Sequence, residues 1–358
     1  TYPIDPFNND ELFGHPKGLY ICFATELWER FSFYGMKYLL LLYVTKYHLF
    51  SDGEGLEVLG SYAGLVYTLP VIGGMLADRY LGMRKAVLLG GMFLCIGHLL
   101  MVVEGHQAVR YVAGTLLTSD LSLSDGTVLI AGTILTDTVK IQDLAALNIF
   151  YLALAFIVVG VGFLKPNIST IVGQLYEKDD PRRESGFTIF YMGINLGAFA
   201  ATIICVYLGE KFGWNYGFGA AGVGMLIGLA TFIKGNKYLK GLAEPSNPEL
   251  LAEKVFGLFR REYLIYLLSV LSLSIFWLVI QHEPVVFVAQ QALLVIAGGG
   301  LVSYAIFKGS KAEMQQMFVL MVLIGSTVVF WALFEQAAGS MTFYADRVID
   351  RNFAGIEI

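Results

Sequence analysis

The chain has 358 residues, of which 56% are hydrophobic and only 15% charged, with a formal net charge of −5. Soluble domains carry about a quarter charged residues, so these figures exclude an ordinary cytosolic enzyme, and the acidic balance leaves no footprint for nucleic acid. The three cysteines, Cys22, Cys95 and Cys205, lie in apolar runs and offer no disulfide framework. The composition is that of an all-α, multi-pass membrane protein lying in a lipid bilayer.

Thr1 to His15 is polar and acidic and does not read as a cleavable signal. The chain opens on Thr1 and stops at Ile358 soon after an apolar segment, so part of a longer product is expected. A spanning helix needs about 20 mostly apolar residues. Such windows predict nine spans, roughly 19–45, 57–77, 86–104, 147–175, 187–208, 214–233, 263–281, 284–307 and 315–343.

The first span contains Glu26, Glu29, Arg30 and Lys37. Each ionisable group in a span costs about 2.5–3.5 kcal/mol on insertion scales, which makes it a functional candidate by default. At roughly 100° per residue, these four and Phe33 share one helical face, leaving Leu27, Phe31 and Leu39 for lipid or neighbouring helices. A packing network of ion pairs is one reading, with Glu26 and Arg30 at i,i+4. A water-filled path explains the expense better, since a pure packing network is replaceable by apolar residues at little cost.

Between the second and third spans, Gly73–Lys85 forms a short Gly-rich loop with Asp78, Arg79 and Arg84, a candidate conformational latch. It lacks the GxxxxGK[ST] pattern of a phosphate cradle. The stretch 105–146 has apolar runs too short to span; Asp120, Asp125, Asp137 and Asp143 mark it as a solvated outer loop with some local structure. Lys165 follows in the fourth span, deep enough that its stem cannot reach the membrane surface, and Pro166 should bend the helix beside it. Tyr34, Tyr67, Tyr191 and Asn195 are polar groups in apolar helices, each a packing or a path-lining residue. The segment 234–262, rich in Lys, Arg and Glu with Pro245 and Pro248, reads as a linker after six spans. Glu335 lies about 20 residues into the last span, towards its outer end, as a proton site, gate residue or interfacial glutamate.

Orientation follows from the lysines and arginines. Lys17, the 79–85 loop, Lys178–Arg183, the 234–262 linker and Lys308–Lys311 fall on one side and hold most of them. Lys46, Arg110, Lys140, Lys211, Arg347 and Arg351 fall on the other. The amino terminus is therefore expected in the cytoplasm.

The run Glu26–Arg30 followed by FSFYG resembles the first-helix motif of the proton-dependent oligopeptide transporters, within the major facilitator superfamily. GGMLADRYLGMRK (73–85), GFLKPNIST (162–170), FTIFYMGINLGAF (187–199) and FWALFEQ (330–336) resemble its later motifs, in order. The resemblance implies two six-helix bundles around a cavity opening alternately to each side, with di- and tripeptides moving inward with protons. No cofactor beyond the coupling proton is implied, and the site would be the cell inner membrane. Arg30, Lys37 and Lys165 would bind the peptide carboxylate; Glu26, Glu29 and Glu335 would handle protons together with Arg30 and Lys165. Phe33, Tyr34, Tyr67 and Asn195 would line the path. Residues 1–233 would be the first bundle, 234–262 a cytoplasmic linker, 263–308 an inter-bundle hairpin and 309–358 the start of the second bundle. Phe33 stands where tyrosine is frequent, Lys37 where arginine is common, and helices eight to twelve are missing. The alternatives are a relative carrying nitrate or a peptide-like anion, and a receptor that binds peptide without moving it.

Overall fold

The computed structural model describes residues 11–123, 127–255 and 257–350, with two further paired segments, Asn352–Phe353 and Ile356–Glu357. The first ten residues, Asp125 and Arg351, all used in the reading above, lie outside the described residues.

Helix α1 (Lys17–Leu42) begins directly after Pro16 and widens over Tyr43–Tyr47. Helix α2 (Asp52–Leu76) starts from a reciprocal cap: Glu54 N donates to Ser51 Oγ, and Ser51 N donates to Glu54 Oε2 at 2.7 Å. It ends in one wide turn, Ala77–Leu81, before Gly82 opens α3 (Met83–Leu100). Asp143 caps α4 (Leu144–Gln174) by accepting from Ala146 N at 3.0 Å. The amide donors of Ala146 and His106 hold the Asp143 carboxyl below the usual carboxylate range. Then come α5 (Arg183–Phe212), α6 (Trp214–Gly235), the short α7 (Pro248–Ala252), α8 (Arg261–Ile280), α9 (Glu283–Lys308), α10 (Lys311–Phe334) and α11 (Ser340–Arg347).

Among the described residues, eight helical segments are long and apolar enough to cross a membrane by length and composition, namely α2 to α6, α8, α9 and the run from α10 through α11. The charged α1, with 26 residues, matches the first expected span, so the nine expected segments are all present. The last of them differs. The expected unbroken span 315–343 stops at Phe334, tightens into a turn over Glu335–Ala338 and restarts at Ser340. Gly339, at φ −107° and ψ −115°, breaks the helix there. Helix α10 buries none of its residues against the described chain, as a lipid-facing or unpartnered span does.

Helix α1 runs through the middle of the first six, along α5 and α6, while α4 packs on both α2 and α3. Of Leu27, Phe31 and Leu39, expected to meet lipid or helices, Phe31 and Leu39 meet helices: a Cβ at Gly224 of α6 would lie 2.5 Å from the Phe31 side chain and one at Gly217 of α6 2.6 Å from that of Leu39, while a Cβ at Gly197 of α5 would lie 2.2 Å from the Leu27 carbonyl. Small residues permit such approach where lipid supplies no hydrophobic drive. Pro166 does not interrupt α4, which stays continuous over 31 residues. Lacking an N–H, it frees the Gly162 carbonyl, and Gly73 of α2 seats against that oxygen, where a Cβ would lie 2.0 Å away.

The 105–146 stretch forms a long β-hairpin in which Val109–Tyr111 pairs with Val139–Ile141 and Leu121–Ser122 with Val128–Leu129. The residues 234–262 are strapped onto the α2–α3 loop. Arg84 N donates to Ala243 O at 2.9 Å, the Arg84 guanidinium pairs with Glu244, and Lys85 Nζ lies 2.5 Å from Glu262 Oε1. Asp78 and Arg79, expected in a latch, are exposed, with Arg79 over the Tyr80 ring. The contacts with residues 243–262 are made by Arg84 and Lys85, at the start of α3. Helix α8 is thus tied at its first turn by Lys85, and near its last by Trp277 Nε1 donating to Asn148 O of α4 at 3.1 Å.

Candidate functional site

On α1, Glu26, Arg30, Tyr34 and Lys37 recur every three or four residues, and Tyr38 lies four beyond Tyr34, so that the five form one stripe. That stripe is one wall of a cavity of about 400 Å³. The rest of the lining includes Tyr67 of α2, Lys165 and Ser169 of α4, Phe190 and Tyr191 of α5, and Trp331, Phe334 and Glu335.

Arg30 Nε donates to Glu26 Oε1 at 2.7 Å and lies 2.9 Å from Glu29 Oε2, with all three side chains at most 5% exposed. One guanidinium therefore serves two buried carboxylates. Lys37 Nζ donates to Glu335 Oε2 at 2.5 Å, across 298 residues of sequence, and Tyr67 donates to Glu335 Oε1 at 3.0 Å. Glu335 stands where α10 ends and leads the tight turn Glu335–Ala338. Lys165 Nζ sits 4.7 Å from the centre of the Tyr67 ring, a cation–π contact. Among the described residues Lys165 makes no ion pair, so it is the cavity's one uncommitted cation.

The expected site residues divide into three groups. Glu26, Arg30, Tyr34, Lys37, Tyr67, Lys165 and Glu335 converge on the cavity. Phe33 and Glu29 share the charged side of α1 but are buried behind the wall. Phe33 lies under both cations, 5.5 Å from Arg30 Cζ and 5.9 Å from Lys37 Nζ, and supports them instead of lining a path. Asn195 is exposed, absent from the cavity lining, and donates to Tyr191 O of its own helix at 3.2 Å. It misses because Gly193 and Gly197 face α1, turning Asn195 away, while Tyr191 reaches the cavity.

Sequence reasoning gave no role to Tyr38, Ser169, Phe190, Trp331 or Phe334. The signal for Tyr38 and Ser169 was present, since each lies four residues beyond a named group, Tyr34 and Lys165. Trp331 and Phe334 add apolar surface to the lining, with ring centroids 5.2 Å apart. The cavity therefore combines cations with aromatic rings. Among the described residues no three His, Cys, Asp or Glu side chains converge as a metal site.

The sequence model described as the POT family matches residues 84–358. The chain is 34% identical over 352 residues to the "Uncharacterized transporter YclF" of Bacillus subtilis (strain 168), covering 97% of this chain and 63% of that protein. It is 31% identical over 346 residues to "Dipeptide and tripeptide permease A" of Cronobacter turicensis, covering 96% of this chain and 60% of the permease. Among solved structures, a mutant of the peptide transporter POT in complex with alafosfalin superposes with a TM-score of 0.72 at 30% identity, covering 99% of this chain and 64% of that one. The chain thus spans somewhat less than two thirds of the relatives it matches. These relatives are transporters, not enzymes, and the family match, the eight membrane-length helices among the described residues and the charged cavity agree: the chain belongs to the POT family of multi-pass membrane transport proteins.

Proposed function

We propose that this protein imports di- and tripeptides by alternating access, driven by protons moving in the same direction. The observation that carries the reading is the charge balance at the cavity. Three cations, Arg30, Lys37 and Lys165, face three carboxylates, Glu26, Glu29 and Glu335. The empty cluster is neutral. A peptide is a zwitterion, but its carboxylate arriving at Lys165 adds a negative charge at this end of the site, away from its ammonium, and one proton taken up by a glutamate restores the local balance.

Protonating Glu29 or Glu26 also frees a share of Arg30, whose planar fork can then hold a carboxylate through charge-assisted hydrogen bonds. Proton and peptide thereby favour the same arrangement, which is what thermodynamic coupling requires. The name of the Cronobacter permease and the peptide-like ligand of the solved relative agree with this substrate class. The bias of lysine and arginine supports an amino terminus in the cytoplasm of a cell whose inner membrane holds the protein, with the β-hairpin outside. Residues 1–233 act as one bundle, the strap and α8–α9 as an inter-bundle connection, and the residues from 309 as the start of a second bundle.

The test is uptake of labelled dialanine into proteoliposomes under an inward proton gradient. Concentrative uptake that collapses with a protonophore, and that unlabelled dipeptides but not nitrate inhibit, is the expected result. Binding without accumulation would replace transport by a receptor role. Glu29→Gln is expected to remove gradient-driven uptake while peptide exchange survives, and normal driven uptake in that variant would contradict the coupling role.

A further inference from the structure

Behind the cavity wall lies a second polar cluster, which the peptide-binding geometry leaves unused. Tyr62 of α2 is fully buried and its hydroxyl has no hydrogen-bond partner. Both oxygens of Glu29 are likewise buried without a hydrogen bond, their one close polar contact being the ion pair with Arg30. Buried polar groups are almost always satisfied, so each exception needs a reason. These two are complementary: an ionised carboxylate only accepts, and a phenol is a donor.

The layers place them together. The Tyr62 ring stacks on Phe33 at 6.3 Å and 29°, and Phe33 carries Arg30 and Lys37 on its other contacts. The Glu29 charge lies within electrostatic reach of the Tyr62 hydroxyl. Among the described residues, the other charged or titratable groups acting on Glu29 are Glu26, Arg30 and Tyr34 on its own helix, and Lys165 from α4. From α6 it meets Gly228, which brings no ionisable side chain. Arg30 is already shared with Glu26, and Tyr62 is a buried donor without a hydrogen-bond partner that lies within reach of the Glu29 charge.

We propose that Tyr62 is a positioning residue for the proton step: its hydroxyl donates to the ionised Glu29 carboxylate, across a small side-chain rotation or one buried water, and so sets the acidity at which Glu29 takes its proton. Phe33 has no hydroxyl to offer from the adjoining ring, so in this chain the donor comes from the far ring of the stack. The inference rests on the proton-coupling reading above and deepens it.

The experiment measures dialanine uptake against external pH in proteoliposomes, beside gradient-free counterflow. Loss of the donor favours the protonated carboxyl, so Tyr62→Phe should move the uptake midpoint to higher pH by about half to one unit, with counterflow within about twofold of wild type. Tyr62→Phe combined with Phe33→Tyr, which returns a hydroxyl to the stack, should bring the midpoint back. An unmoved midpoint in Tyr62→Phe, or a shift that Phe33→Tyr leaves uncorrected, would overturn the assignment. If Tyr62→Phe does not fold, Phe33→Tyr alone decides: a second donor should move the midpoint to lower pH, and no movement overturns it. A wild type whose uptake ignores the proton gradient would sink the coupling reading and this inference together. A pH-dependent wild type with an unmoved Tyr62→Phe sinks the inference alone.

Discussion

Arg30→Ala is expected to abolish dialanine uptake and to destabilise the protein by about 3–5 kcal/mol, the range for removing one partner of a buried ion pair. The reason is specific to this site. Arg30 is the one guanidinium in contact with both Glu26 and Glu29, and both carboxylates are almost completely buried. Removing it leaves two like charges in a low-dielectric interior, and one or both must then stay protonated. Arg30→Lys keeps the charge but not the fork, so it should recover part of the stability and little of the uptake. Thermal unfolding in detergent and counterflow in liposomes measure the two effects separately. An alanine variant as stable as wild type would mean that the triad is open to water, contrary to its burial.

The second large effect is steric. Gly197→Val should destabilise the protein by about 1–3 kcal/mol or more and also impair transport. A Cβ at Gly197 would stand 2.2 Å from the Leu27 carbonyl and 3.0 Å from Arg30 Cβ. The first contact is backbone and cannot yield without moving α5 from α1; the second pushes on the arginine that organises the site. Gly298→Ala in α9 is the control, because nothing lies within 4 Å of its added carbon. There the helix-propensity gain of up to about 1 kcal/mol should dominate. Equal melting temperatures for wild type and Gly197→Val would show that the α1–α5 approach is looser than described.

The spans were legible because lipid imposes a simple rule of length and apolarity, and the site was legible because charges in a span violate it. Glu26, Arg30, Lys37 and Lys165 declared themselves in that way. What sequence could not supply was partnership. Nothing in the local pattern ties Lys37 to Glu335, a contact closed by the fold across 298 residues. Nor does helical periodicity say which of several neighbouring helices a face will meet: it put Glu29 and Phe33 with the cavity residues, whereas burial sets them one layer back. Asn195 failed for a related reason. Its polarity drew attention, but the glycines two residues to either side decide which face of α5 turns inward. The hairpin at 105–146 was visible only as a solvated loop, because its short strands are defined by pairing partners some thirty residues apart.

The two ties on α8 have a practical consequence. A 20-residue helix is about 30 Å long, and this one is fixed close to both ends, to Lys85 at the start of α3 and to the Asn148 carbonyl of α4. It is held like a beam on two supports, and so belongs mechanically to the helices it rests on. Spin labels on α4 and α8 should therefore report one unchanging distance with and without peptide. That pair supplies an internal ruler against which the motion of any other helix, α10 first among them, can be read.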